Sequence, residues 1–115
     1  VPGTAKLQKD AATLLKVVAD RARAAPKFDL SIEVKRPDDA PRAAKYRQAG
    51  VWALTADQAV TLNRYMRNEE KIEAGRIIAV GRGPAPPTQR PGSQVMTKGS
   101  TVEFTFLSKV LKPTD

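Results

Sequence analysis

The chain has 115 residues, enough for one domain with a core that needs no staples. It contains no cysteine and no histidine, which excludes disulfides, thiolate chemistry, a histidine base, a histidine-ligated metal and the usual nucleophilic triads. Lys plus Arg number 20 against 12 Asp plus Glu; the net charge of +8 serves solubility and also favours polyanionic partners such as nucleic acid, an acidic membrane surface or an anionic cell-wall polymer. No apolar run approaches the length of about 18 residues needed to span a bilayer, so membrane insertion by this segment is not expected. No signal peptide opens the chain, and the abrupt start at Val1-Pro2-Gly3 reads as that of a fragment of a larger protein.

From Lys6 to Ala25 the pattern is helical, with Leu7, Ala11, Leu14, Leu15, Val18 and Ala22 on one stripe. Pro26 stops it. Phe28 to Val34 alternates strictly, with Phe28, Leu30, Ile32 and Val34 on one side and Asp29, Ser31 and Glu33 on the other, which predicts a half-buried strand. Lys35 to Ala49 reads as a loop broken by Pro37 and Pro41, with room for a helical turn from about Arg42 to Gln48.

A second helix is predicted to start at Thr55. Thr55-Ala-Asp-Gln58 fits a capping box, in which the Thr hydroxyl takes the amide of residue 58 and Gln58 reaches back. Ala59, Leu62 and Met66 form its apolar face, with Tyr65 at the edge. Trp52, the lone tryptophan, is expected to pack into the core over the helix start rather than to stack on a ligand. Arg76 to Gly81 is nearly continuous in apolar residues, the signature of a strand buried on both faces at the centre of a sheet. Gly81, Gly83 and the prolines at 84, 86 and 87 end it, and the chain to Ser100 reads as loop. Thr101 to Lys109 alternates again, with Val102, Phe104 and Phe106 inward, and Val110-Leu111 extends it past a bulge. The order helix, strand, helix, strand, strand gives an α/β chain of α+β sandwich type, a mixed sheet with helices packed on one face.

Few motifs carry chemistry. Gly81-Arg-Gly83 follows a strand but lacks the remainder of a phosphate loop, and proline replaces the helix start that would hold the anion, so it reads as a turn needing positive φ. Asp38-Asp39 beside Lys35 and Arg36 is either a binding cluster or a solvated loop with weak local ion pairs. The basic loops lack the exposed aromatics that single-strand nucleic-acid binders use, so nucleic acid is a charge-only alternative and not the expected partner.

Taken together, the segments are similar to the C-terminal OmpA family, the peptidoglycan-associating domains that include the flagellar stator protein MotB. Gly3-Thr-Ala-Lys-Leu7, Lys9 to Ala19 and Phe28 to Glu33 resemble the family's "G-S-A-x-L … L-x-x-I-A … I-x-I-E-G-H-T-D". Gly50-Val-Trp-Ala-Leu-Thr-Ala-Asp-Gln-Ala59 resembles "S-N-W-x-L-S-x-x-R-A", and Arg76 to Gly83 with Pro86 resembles "R-I-x-x-x-G-Y-G-x-x-x-P". The resemblance implies a β-α-β-α-β fold over residues 1–115, with the first strand lying before Val1 or cut short. It implies a non-enzymatic module of the periplasm or cell envelope, without cofactor or metal. Its partner would be peptidoglycan or another anionic wall polymer, and envelope proteins could join it.

In the family an Asp after the second strand and an Arg at the helix start clamp the charged end of diaminopimelate. Here Gln58 stands at the Arg position, Pro37 at the Asp position with Asp38 next to it, Val51 at the Asn before Trp, and Gly99-Ser100 where an Asn-Arg pair introduces the last strand. The candidate ligand-binding residues are therefore Asp38 and Asp39 for an ammonium, with Lys35, Arg36 or Arg42 replacing the lost Arg beside Gln58. The substitutions predict weakened or altered cell-wall binding. The alternative is a degenerate pocket on a protein-interaction or assembly module of an envelope complex.

Overall fold

A computed structural model describes residues 4–36, 43, 46–84, 95–96 and 100–108, with the backbone alone at 47–49. The elements are α1 (Ala11–Ala24), β1 (Phe28–Arg36), α2 (Tyr46–Asn68), a 3-10 turn (Ala74–Arg76), β2 (Ile77–Pro84) and β3 (Thr101–Ser108). The three strands form one mixed sheet in the order β2-β1-β3, with β1 parallel to β2 and antiparallel to β3. The α+β architecture read from the hydrophobic periods is the architecture observed.

One core forms where the inward face of β1 meets both helices. Leu30, Ile32 and Val34 are fully buried against Leu15 and Ala19 of α1 and Leu62 and Met66 of α2, with Ile77 and Val102 from the flanking strands. Burial on this scale contributes about 1.5–3 kcal/mol per large aliphatic side chain. Phe28, at the start of the inward row, is 40 % exposed because β1 outruns the core there.

Several boundaries differ from the sequence expectation. The first helix starts at Ala11 and not at Lys6, because Leu7 is drawn into an antiparallel bridge with Met96, with Gln8 N donating to Val95 O at 2.8 Å. Leu14, placed on the apolar stripe, is exposed, and Ala19 lies in the core instead. The second helix begins at Tyr46 and is kinked at Gly50 (φ 91°), so that Thr55 lies inside it and caps nothing. Among the described residues β2 is not the centre of the sheet but an edge strand, and Ile78 on its outer face is 47 % exposed. The centre belongs to β1, the alternating strand. β2 also continues through Gly81 and Gly83 to Pro84. The suggested extension of the last strand at Val110-Leu111 lies outside the described residues.

Candidate functional site

The inward row of β1 does not stop at Val34. Arg36 continues the same period-2 row and is fully buried at the strand's C-terminal end. Its Nη1 donates to Ser100 Oγ at 2.8 Å, Ser100 Oγ donates to Gln58 Oε1 at 3.0 Å, and Gln58 Nε2 donates to the carbonyl of Thr4 at 2.9 Å. Arg36, Gln58 and Ser100 are each 0 % exposed, so the relay runs through desolvated groups, where hydrogen bonds are strong and costly to break. A guanidinium tolerates such a position better than an ammonium because its charge is delocalised and weakly hydrated. The relay joins the end of β1, the middle of α2, the start of β3 and the N-terminal segment.

Of the sequence candidates, the structure thus brings Arg36 and Gln58 together. Lys35 points to the opposite face of the sheet, where its Nζ lies 4.0 Å from Glu103 Oε2. Asp38, Asp39 and Arg42 lie outside the described residues. Ser100 and Thr4 were not anticipated. Arg36 had a signal, since extending the alternation from Phe28 by one more step places it inward; Ser100 had only its position in place of the family's Asn-Arg pair.

Gln58 is spent on this relay and not on a capping box. Thr55 is likewise diverted: its Oγ1 donates to Trp52 O at 3.3 Å and accepts from Gly83 N at 3.0 Å, which fastens α2 to β2. The two elements approach closely along this seam. A Cβ on Gly81 would lie 2.4 Å from Ala56 N, and one on Gly83, which has φ +64°, would lie 2.4 Å from the Trp52 ring. The indole therefore rests on the backbone of Gly83. Trp52 as a whole is nonetheless 62 % exposed, so it is not the core anchor expected of it.

Across the Gly50 kink, Tyr46 OH donates to Asp57 Oδ2 at 2.7 Å. Burial first, and then the hydrogen bond and charge of Asp57, push the Tyr46 phenol up to about 12. Two open grooves lie elsewhere: one of about 290 Å³ lined by Ala59, Val60, Asn63, Arg67, Ala74 and Ala79, and one of about 240 Å³ around Leu7, Thr61, Arg64 and Tyr65. Neither touches Arg36 or Gln58. Among the described residues no group of three or more carboxylates could hold a metal ion, and no helix is long and apolar enough to cross a membrane.

No protein-family model and no curated protein sequence matches the chain. Solved structures do. A MotB-like protein from Desulfovibrio vulgaris superposes with a TM-score of 0.72 at 22% identity, over 98% of this chain and 69% of that one. The peptidoglycan-associated lipoprotein from Burkholderia pseudomallei gives 0.60 at 15% identity, over 89% and 83%. The periplasmic domain of Helicobacter pylori MotB gives 0.63 at 14% identity, over 90% and 64%. With the sheet order, the helix placement and these superpositions agreeing, the chain has an OmpA/MotB-like fold.

Proposed function

We propose that the chain is a non-enzymatic module of the cell envelope that associates with peptidoglycan or another anionic wall polymer in the periplasm. The observation that carries this reading is the convergence of Arg36 and Gln58 at the C-terminal end of β1, in a fold shared with a peptidoglycan-associated lipoprotein. Arg36 supplies a cation where Gln58 has none, from the strand instead of the helix; being 0 % exposed, it acts on a ligand through its field and not by contact. Asp38 and Asp39, next in the chain, supply carboxylates for a diaminopimelate ammonium, while Lys35 and Arg42 add positive charge for an anionic polymer. Loss of the charge-assisted contact from position 58 should weaken ligand binding by about 1.5–3 kcal/mol. Purified sacculi test the reading: the domain should co-sediment above a charge-matched control protein, and recovery no better than that control would remove it.

One observation favours a second reading. Each end of the Gln58 amide already holds a protein partner, Ser100 and Thr4, and the side chain is 0 % exposed, so a ligand does not reach it. On that reading the domain is an assembly module of an envelope complex. Backbone NMR shifts on addition of a diaminopimelate stem peptide separate the two: movement around Lys35, Arg36 and Thr101 supports the wall-binding module, and a silent spectrum supports the assembly module.

A further inference from the structure

We propose that the outer edge of β2, with the groove beside it, receives an extended acidic peptide segment from a partner protein, which adds a strand to the sheet. The starting point is a mismatch within β2. Ile77-Ile78-Ala79-Val80 has the composition of a strand buried on both faces, as interior strands of a sheet are, yet among the described residues β2 pairs only with β1. Natural edge strands are guarded by lysine, proline, bulges or brevity. Ile77–Val80 carries no lysine or proline, and its register with β1 is regular; the irregularity comes later, between Val34 and Arg36. The outward N–H and C=O groups of this stretch therefore form a template for an extended chain.

The groove gives that chain a place for its side chains. α2 runs antiparallel to β2, with Trp52 over Gly83, Thr55 and Ala56 against Gly81, and Ala59 meeting Ala79. The groove of about 290 Å³ follows the same seam and is walled by Val60, Asn63 and Arg67 of α2. Val60 is 50 % exposed, and Trp52 stands further along with most of its ring open. Small residues at 59, 74 and 79 leave the room, and Val60 and Trp52 supply apolar contact.

Charge selects the occupant. Among the described residues Arg67 is the only charged one lining the groove; its Nε is held on Asn63 Oδ1 at 2.7 Å, and no carboxylate among the described residues pairs with it. A second copy of a +8 chain would be repelled from this edge, whereas an acidic strand would be attracted to it.

Trp52 is the sole tryptophan and reports on the seam directly. The experiment titrates the domain with the peptide acetyl-Glu-Val-Thr-Val-Glu-Val-amide and with its Glu-to-Lys counterpart, following Trp52 emission and amide exchange across β2. The acidic peptide should saturate, shift the emission to the blue and slow exchange at alternate amides of Ile77–Val80. Arg67→Glu should weaken it about tenfold or more while improving the lysine peptide. Arg67 is exposed, so this variant should fold; a circular dichroism melt checks that it does. The proposal is overturned if neither peptide saturates by about 1 mM, if both bind alike, if protection appears on β3 instead, or if sedimentation shows β2 already closed by a dimer. Arg67→Glu lies outside the Arg36–Gln58 relay and, at high salt where the field of the net charge is screened, should leave sacculus recovery unchanged, so failure here and failure of the wall-binding reading are separate results.

Discussion

At Gly83 one added methyl group meets two obstacles. The φ of +64° costs an L-residue about 1–2 kcal/mol. The new Cβ would also lie 2.4 Å from the Trp52 ring, which must then leave its seat. Gly83→Ala should lower stability in urea by more than the backbone cost alone and change Trp52 emission in the native state. In a Trp52→Ala background only the backbone cost should remain, and equal costs in both backgrounds would refute the seat. The buried relay makes a different forecast. Gln58→Arg sets a second guanidinium one hydroxyl away from that of Arg36. Burying an extra charge there should cost several kcal/mol, and Arg36→Gln in the same chain should recover much of it. If Gln58→Arg is instead neutral in thermal melts, the relay is more open to water than its burial implies.

The elements are held at their ends by long polar side chains. Arg76 Nη2 shares its two N–H groups among three carbonyls, Ala22 at 2.8 Å, Ala25 at 2.9 Å and Phe28 at 2.7 Å, and so closes the C-terminus of α1 onto the start of β1. Arg76→Ala should cost about 1.5–3 kcal/mol, with faster amide exchange confined to the last turn of α1 and the first residues of β1. The kinked start of α2 depends on Tyr46 and Asp57. Because the folded phenol titrates at about 12, above its unfolded value near 10, its contribution is complete below about pH 10 and is lost as pH rises toward and past 12. Asp57→Asn should move the tyrosinate transition down, and should flatten the alkaline loss of stability followed by circular dichroism.

This is also the scale at which the sequence was most and least legible. Strict alternation found β1, and the spacing of Ala59, Leu62 and Met66 found the buried face of α2, because burial imposes those periods directly. The capping box at Thr55 failed because tertiary partners, Gly83 N for the hydroxyl and Ser100 and Thr4 for the amide, outcompeted the local ones. β2 was misplaced because an apolar run reports composition and not which neighbours the topology supplies. The relay was half legible: Arg36 follows from the alternation, whereas Ser100 comes from a distant segment whose approach no local pattern announces.

At the scale of the molecule, positive charge and a specific pocket predict different responses to salt. Sacculus binding driven by the +8 field alone should fade steeply with added salt, as exposed charge interactions do. Binding through Arg36 and its neighbours should keep a residue at high salt that Arg36→Gln removes. The sheet order carries a further consequence. β1 precedes the other two described strands in sequence and lies between them in space, and Phe28 pairs with Ser108, 80 residues further on. During synthesis the Leu30, Ile32 and Val34 row therefore waits without its antiparallel neighbour, and Arg36 waits without Ser100, until Ser100 to Ser108 have emerged. A nascent chain arrested before Thr101 should remain open to protease, and one arrested on a linker beyond residue 115 should resist it.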